Sequence, residues 1–259
     1  MFSTLKLDVA GGLAVVTLHR PEARNAMSAQ LMAEMTACAG HLAERRDVEV
    51  AIVTGHPPCF SAGADLKDAS RWGDPSQTLD EQRDTARLGF RMARAWEELP
   101  QITLAAIEGY AIGGGLALSV ALDWRVISSD AFVSLPEIAL GIPLTWGTIP
   151  RLVNLVGPSR AKRLTILGER LPAAEALAMG LVDYVVPPGQ AVAKAREVAA
   201  QVLALPRHSV RMSKETVNVY ASLGAPAAGH MAHDQILLAA GSPEARTARE
   251  KFAAKNRKK

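Results

Sequence analysis

Cysteine is scarce in this sequence. Of the 259 residues, only Cys38 and Cys59 are cysteines, and their spacing is not that of a metal-binding motif. Residues 1–7 show no basic segment followed by an apolar stretch, so no secretory signal is expected. Two isolated thiols without such a signal indicate a reducing, cytoplasmic setting.

The sequence also lacks a plain membrane-spanning run. Residues 103–122 are as long as a membrane span, but they contain Glu108 and four glycines. The glycines weaken a continuous helix, and an unpaired carboxylate is costly in lipid. A buried strand, a glycine turn and a buried helix explain this run better, so no membrane span is expected.

A strong charge of either sign is absent. The formal net charge is +3, with 49% hydrophobic and 21% charged residues, which is the balance of a soluble globular protein of one or two domains. The dense basic cluster is residues 255–259, and such tails are usually solvated. RNA binding therefore stays open as an alternative.

Strand and helix signals alternate along the first part of the chain. Apolar and polar residues alternate over residues 5–17 around Gly11 and Gly12, which predicts a β-hairpin. Ser28 is the expected N-cap of a helix that ends near Arg45. Buried strands are expected at residues 48–54, 102–107 and 124–128, and helices at residues 79–99 and 113–122. This alternation predicts an α/β fold with a mostly parallel sheet.

The later part of the chain has helical periodicity. A helix is expected to open at residues 157–159, and Pro172 is expected near the start of the next one. Residues 187–189, Pro-Pro-Gly, form a linker that divides the chain into domains 1–188 and 189–259. Four helices are expected after it, at residues 192–205, 209–222, 227–240 and 243–258.

Three segments have the composition of ligand-binding turns. They are CFSAGADLK at residues 59–67, EGYAIGGGLA at residues 108–117 and FVSLPEI at residues 132–138. Turns from a strand into a helix leave backbone N–H groups free, and small side chains let a ligand approach them. Nucleotide-phosphate binding is disfavoured because neither the G-x-G-x-x-G order nor a P-loop lysine is present. Close packing of a helix on a strand would also explain the glycines.

These three segments, in this order and at these separations, resemble the signature of the crotonase (enoyl-CoA hydratase/isomerase) family. The resemblance extends from HRPEARN at residues 19–25 to the C-terminus. It implies a crotonase-like spiral of repeated ββα units, with a helical C-terminal region that forms trimers, often paired into hexamers. It also implies that the N–H groups of Ala64 and Gly114 form an oxyanion hole for an acyl-CoA thioester. Two fixed donors would stabilise the charge that develops when a proton is removed next to the carbonyl.

The acid–base residues depart from the hydratase pattern. The resemblance implies two glutamates for hydration; one maps to Glu137, and Ala117 stands at the position of the other. A double-bond shift needs one base, whereas hydration divides the work between two carboxyls. We therefore expect an isomerase-type reaction, with enoyl-CoA hydration or a catalytically weak acyl-CoA or RNA-binding relative as alternatives. A purely structural carboxylate at a helix N-terminus is the other interpretation of Glu137.

The resemblance further implies residues that contact the substrate or its CoA. Arg24 could equally be a solvated surface residue, and Trp146 a plain core residue. Asp123 and Arg125 are expected to form a structural pair, and the histidines form no metal-ligand cluster. Coenzyme A belongs to the substrate, and no metal or redox cofactor is implied. The expected contact residues are Ala23, Arg24, Ala62, Asp65, Leu66, Lys67, Gly113, Trp146, Phe252 and Lys255.

Overall fold

The computed structural model describes residues 2–68, 76–223 and 232–257. The predicted hairpin is present, since β1 (Leu5–Ala10) pairs antiparallel with β2 (Leu13–Leu18). Gly11 and Gly12 both have positive φ angles, which a tight hairpin turn requires.

A six-stranded sheet forms the centre of the fold, in the order β1-β2-β3-β4-β6-β9. The added strands are β3 (Val50–Gly55), β4 (Ile102–Ile107), β6 (Trp124–Ser128) and β9 (Tyr184–Val186), and every pairing after the hairpin is parallel. The inner strands β2, β3, β4 and β6 are rich in apolar residues because both of their faces are covered. One face packs on α1 (Ala29–Glu44) and α2 (Leu79–Glu97), and the other packs on α6 (Ala191–Leu203).

A smaller sheet lies beside the large one, in the order β5-β7-β8, formed by β5 (Tyr110–Ile112), β7 (Phe132–Ser134) and β8 (Leu171–Pro172). The chain enters it from β4 and again from β6. Helix α3 (Gly114–Ser119) follows β5, and helix α4 (Thr148–Leu167) comes later in the chain, after β7. This is the predicted succession of ββα units. The run at residues 103–122 is accordingly divided among β4, β5 and α3, and no helix in the described part of the chain is long and apolar enough to cross a membrane.

The helix boundaries differ from expectation at α3, which ends early, and at α4, which already begins at Thr148. Helix α3 ends at Ser119 rather than at residue 122, because the following residues turn into β6. Within α4, Gly157 has φ 77°, so two helical stretches meet there and the second begins at Pro158, as predicted. The remaining helices are α5 (Ala173–Met179), α7 (Arg207–Ala221), α8 (Ala232–Ala240) and α9 (Pro243–Arg257).

The C-terminal helices correspond to the four predicted ones, although residues 227–231 and 258 lie outside the described residues. Helix α6 buries Ala195 and Ala199 in the core that it shares with the large sheet. The division into domains 1–188 and 189–259 therefore stays a prediction.

The last two helices pack back on the same chain. Helix α8 lies against α2, where Arg83 and Asp234 form an ion pair of 2.7 Å. Helix α9 lies against a 3₁₀ turn, Glu137–Leu140, that carries the predicted catalytic glutamate. The approach is close, since a methyl group on Gly141 would lie 2.3 Å from the Cα atom of Ala245.

Candidate active site

The loop before α1 is held in an unusual backbone conformation. Arg24 and Asn25 have φ angles of 52° and 54°, in the left-handed region that asparagine tolerates better than most residues. The buried Asn25 side chain donates to the carbonyl oxygens of His56 (2.7 Å) and Cys59 (2.8 Å). Asn25 thus fixes residues 23–24 against the start of the 59–67 segment. Sequence reasoning missed this role, although asparagine's tolerance of positive φ was an available signal.

Ser61 joins this loop to the next glycine. Its hydroxyl donates to the Asn25 carbonyl oxygen at 2.8 Å and accepts from the Gly63 N–H at 3.2 Å. Gly63 has φ 92°, so a residue with a side chain would be strained there. Ser61 was also missed, because a serine among small residues resembles ordinary turn composition.

Ala64 follows in a short parallel bridge to Met27. The Met27 N–H donates to the Gly63 carbonyl (2.7 Å), and the Asp65 N–H donates to the Met27 carbonyl (3.1 Å). In such a bridge the intervening residue directs its own N–H away from the partner strand. Within the described ranges, the Ala64 N–H has no protein acceptor.

The start of α3 supplies a second free donor. The Gly113 N–H donates to the Ser134 carbonyl at 2.8 Å, whereas the Gly114 N–H has no acceptor among the residues described. A methyl group on Gly63 would lie 3.6 Å from the Gly114 nitrogen. Two free N–H groups, on Ala64 and Gly114, therefore lie on loops that touch each other.

Glu137 approaches this pair of loops from the 3₁₀ turn. A methyl group on Gly113 would lie 2.7 Å from its Oε1 atom, and the positive φ of Gly113, 52°, disfavours any residue with a side chain there. The residue as a whole keeps some exposure, but its Oε2 atom is buried and has no hydrogen-bond partner in the described structure. Burial raises the pKa of Glu137 to about 7. The carboxylate can thus gain or lose a proton near neutral pH.

A groove of about 900 Å³ begins at Ala64 and runs along the Arg20–Asn25 loop. Within it, Asp65 is held by Arg20 (2.9 Å) and by the Lys67 N–H (3.0 Å), so its carboxylate braces the loop. Arg24 and Lys67 place two cations on the lining of the groove, which also carries Arg20 and the acids Glu22, Asp65 and Asp68. Six of the predicted contact residues line it: Ala23, Arg24, Ala62, Asp65, Leu66 and Lys67.

Trp146 lies beside the site rather than in the groove. Its exposed fraction is 6%, and its indole packs against Gly114. The side chains of Phe252 and Lys255 lie outside the described residues, although α9, which carries them, covers the Glu137 turn. The roles of these three residues stay predictions.

Ala117, Asp123 and Arg125 lie away from the groove. Ala117 is buried in the main core, in the second turn of α3. The Asp123 carboxylate pairs with Lys214 (2.6 Å), and the Arg125 guanidinium pairs with Asp183 (3.1 Å). Asp123 and Arg125 therefore do not form an ion pair with each other, although the Arg125 guanidinium donates to the Asp123 carbonyl oxygen at 3.2 Å. Asp123 and Asp183 directly precede strands β6 and β9, and their ion-pair partners are distant from them in the sequence. In the described part of the chain, no group of three or more His, Cys, Asp or Glu residues could hold a metal ion.

Comparison with known proteins decides the family. The family model described as enoyl-CoA hydratase/isomerase matches residues 8–257. The chain belongs to the enoyl-CoA hydratase/isomerase family. The resemblance predicted from the three segments is therefore confirmed, and with it an enzyme of that family.

Individual relatives agree with this assignment. The short-chain-enoyl-CoA hydratase of Clostridium acetobutylicum is 34% identical over 213 residues, covering 82% of this chain and 80% of the relative. The crystal structure of an enoyl-CoA hydratase/isomerase from Xanthobacter autotrophicus Py2 superposes with a TM-score of 0.87 at 29% identity, covering 100% and 94%. An enoyl-CoA hydratase from Mycobacterium avium subsp. paratuberculosis gives 0.87 at 25% identity, covering 98% and 97%. These matches confirm the predicted α/β crotonase fold.

Proposed function

We propose that this protein acts on acyl-CoA thioesters by stabilising an enolate, and that double-bond isomerisation of an enoyl-CoA is its favoured reaction. One observation carries the proposal. Two free backbone N–H groups, on Ala64 and Gly114, lie near the carboxylate of Glu137, whose buried Oε2 atom has no partner in the described structure.

The two N–H groups would bind the thioester oxygen. Removing a proton from the carbon next to the thioester carbonyl places negative charge on that oxygen. Donors that are already fixed in place stabilise this charge without reorganisation, and each contributes roughly 3–4 kcal/mol in comparable sites. Asn25 and Ser61 fix the loop that carries the first donor.

Glu137 would move the proton. As a carboxylate it takes a proton from the carbon next to the carbonyl, which leaves a dienolate. As a carboxylic acid it returns that proton two carbons farther along the chain, and the double bond shifts. A pKa of about 7 suits both steps, because neither protonation state is strongly preferred.

Hydration is the second candidate, since several relatives carry hydratase names. It would require water to be deprotonated while a proton reaches the neighbouring carbon, and two carboxyls usually share this work. Ala117 offers a methyl group where the family pattern has the other glutamate. A catalytically weak acyl-CoA binder would share the groove but lack efficient turnover.

The groove would hold the CoA portion of the substrate, with Arg24 and Lys67 near its phosphates. No metal or redox cofactor enters this chemistry. We also propose that the exposed apolar face of α7 forms the interface of a homotrimer, itself able to pair into a hexamer. The large exposed residues of α7 are Met212, Val217, Val219 and Tyr220, and Leu223 follows in the turn after it.

The test assays a 3-enoyl-CoA and crotonyl-CoA side by side. Absence of a second positioned carboxyl typically costs about 100-fold or more, so isomerisation is expected to exceed hydration by at least about 100-fold in kcat/KM. In D₂O, part of the isomerised product should keep the substrate hydrogen, because one carboxyl carries it. Hydration as fast as isomerisation would overturn the favoured reaction.

A paired variant sharpens this test. Ala117→Glu is expected to raise crotonyl-CoA hydration, whereas Ala117→Gln, of matched size, is not. The gain will be partial, because the site is buried and no residues are arranged to orient a second carboxylate. If both variants hydrated crotonyl-CoA at the same rate, the residue at position 117 would not determine whether the protein favours hydration or isomerisation.

A further inference from the structure

Trp146 is clamped between two glycines. A methyl group on Gly114 would lie 2.6 Å from its Cη2 and Cζ3 atoms. A methyl group on Gly89, in the middle of α2, would lie 1.9 Å from its Cε2 atom. The indole therefore fills the space between α2 and α3, and both helices lack side chains where it enters.

The backbone of Trp146 is fixed as well. Its φ angle of 62° is rare for a bulky residue and persists only where the surroundings enforce it. Its carbonyl accepts from Arg151 Nη1 at 2.7 Å, and Arg151 forms a double hydrogen bond to Glu97 on α2, at 2.6 and 2.8 Å. The tryptophan is thus tied to the same helix that its ring contacts.

The position of the ring relative to the proposed chemistry follows from Gly114. The N–H of this glycine is the proposed oxyanion donor, and the ring lies where a side chain on this glycine would be. The CoA groove begins on the opposite loop, at Ala64, and neither Gly114 nor Trp146 lines it. An acyl chain whose thioester sits between the two donors, with its CoA in the groove, extends past Glu137 toward the indole.

We infer that Trp146, held by Gly89 and Gly114, closes the acyl end of the site and restricts the substrate to short acyl groups such as crotonyl or butyryl. The inference rests on the proposed acyl-CoA function and deepens it by naming the substrate class. Because protein interiors are close-packed, methylenes that reach the indole can enter the space between Gly89 and Gly114 only if the ring leaves it.

The test measures equilibrium binding of CoA, butyryl-CoA and octanoyl-CoA, and so does not depend on which reaction is catalysed. Each buried methylene ordinarily increases affinity about fourfold. An open pocket would therefore bind octanoyl-CoA roughly 200-fold more tightly than butyryl-CoA. A closed pocket is expected to bind octanoyl-CoA no more tightly than butyryl-CoA.

Two variants test whether the indole of Trp146 sets the limit on acyl length. Trp146→Ala is expected to give octanoyl-CoA an advantage of at least about 10-fold over butyryl-CoA, with CoA itself bound as before. Trp124→Ala is the matched control, because Trp124 is half-buried on β6 and lines a different cavity. It should leave the ratio of the two affinities unchanged.

The outcomes separate the two proposals. A wild-type protein that binds octanoyl-CoA much more tightly than butyryl-CoA overturns the length limit and leaves the acyl-CoA function intact. A protein that binds none of the three CoA compounds overturns both. If Trp146→Ala does not fold, the wild-type affinities still decide the length limit, and Trp146→Leu replaces it for assigning that limit to the ring.

Discussion

The candidate active site and a second cavity of about 670 Å³ differ in how their charges are satisfied. In the second cavity, Lys214 pairs with Asp123 at 2.6 Å and also donates to the Gln101 carbonyl at 2.7 Å. On another wall of the same cavity, Arg151 pairs with Glu97 at 2.6 Å. At the candidate site, by contrast, the buried Oε2 atom of Glu137 has no partner in the described structure.

This difference in hydrogen bonding distinguishes the ion pairs of the second cavity, which stabilise the fold, from the Glu137 carboxylate. Buried polar groups are almost always hydrogen-bonded, so an exception requires an explanation. In the second cavity, the Lys214–Asp123 pair holds α7 to the start of β6, and the Arg151–Glu97 pair holds α4 to α2. These charges already have partners, whereas binding a ligand requires bonding capacity that is unused. The unsatisfied Glu137 carboxylate has that capacity, and its raised pKa is typical of functional groups. Cavity volume and charge alone would not have separated the two.

The largest expected effect comes from removing the Glu137 carboxylate. Glu137→Gln keeps the shape of the side chain but cannot accept the proton, so turnover should fall by about 100- to 10,000-fold. The affinity for butyryl-CoA should change little. Steady-state kinetics and equilibrium binding measure the two effects. A variant with near-normal turnover would show that another group is the base. The unpaired carboxylate would then no longer distinguish the candidate active site from the second cavity.

The sequence predicted the elements that depend on local pattern. The hairpin, the buried strands and the small-residue segments around Ala64 and Gly114 follow from periodicity, glycine and a family resemblance. The sequence could not predict contacts that tertiary packing creates. Gly89 has the appearance of an unfavourable residue inside a helix, and only the indole of Trp146 explains it. The ion-pair partners of Asp123 and Arg125 were likewise not predicted, because they are Lys214 and Asp183, far along the chain.

Breaking a pair in the second cavity should affect stability and spare catalysis. Lys214→Met leaves the partly buried Asp123 without its cation, and such losses typically cost about 3–5 kcal/mol. Urea unfolding measures the free energy of unfolding, and kinetics on the folded fraction should show normal kcat. Adding Asp123→Asn should recover part of the loss. A fall in kcat as large as that of Glu137→Gln would mean that the second cavity also takes part in function.

The pH dependence of stability should sharpen the same contrast. The folded-state pKa of Glu137 is about 7 and its ordinary value is 4.5, so between these pH values the folded state holds a proton that the unfolded state has lost. Stability should therefore fall as pH rises through this window, by about 3 kcal/mol in all from this group. In parallel, kcat/KM should rise toward a plateau above pH 7, because the base must be ionised.

Glu137→Gln is the control for that experiment. It should remove this part of the pH dependence and be more stable than the wild type at pH 8. If denaturant unfolding gave parallel curves for both proteins from pH 4.5 to 8, the carboxylate would titrate normally in the folded state. Glu137 would then be solvated like a surface residue.

The smallest expected effect tests the clamp on Trp146. In the wild type, Gly89→Ala forces a methyl group into the indole, and overpacking of this kind typically costs about 1–3 kcal/mol. In a Trp146→Ala background the space is open, and alanine is preferred to glycine inside a helix by about 1 kcal/mol. The same substitution should then stabilise the protein, so its sign reverses between the two backgrounds. A double-mutant cycle of unfolding free energies measures the coupling. Additive effects would show that the ring does not press on α2, and the acyl end of the site would then lack the wall on which the length limit depends.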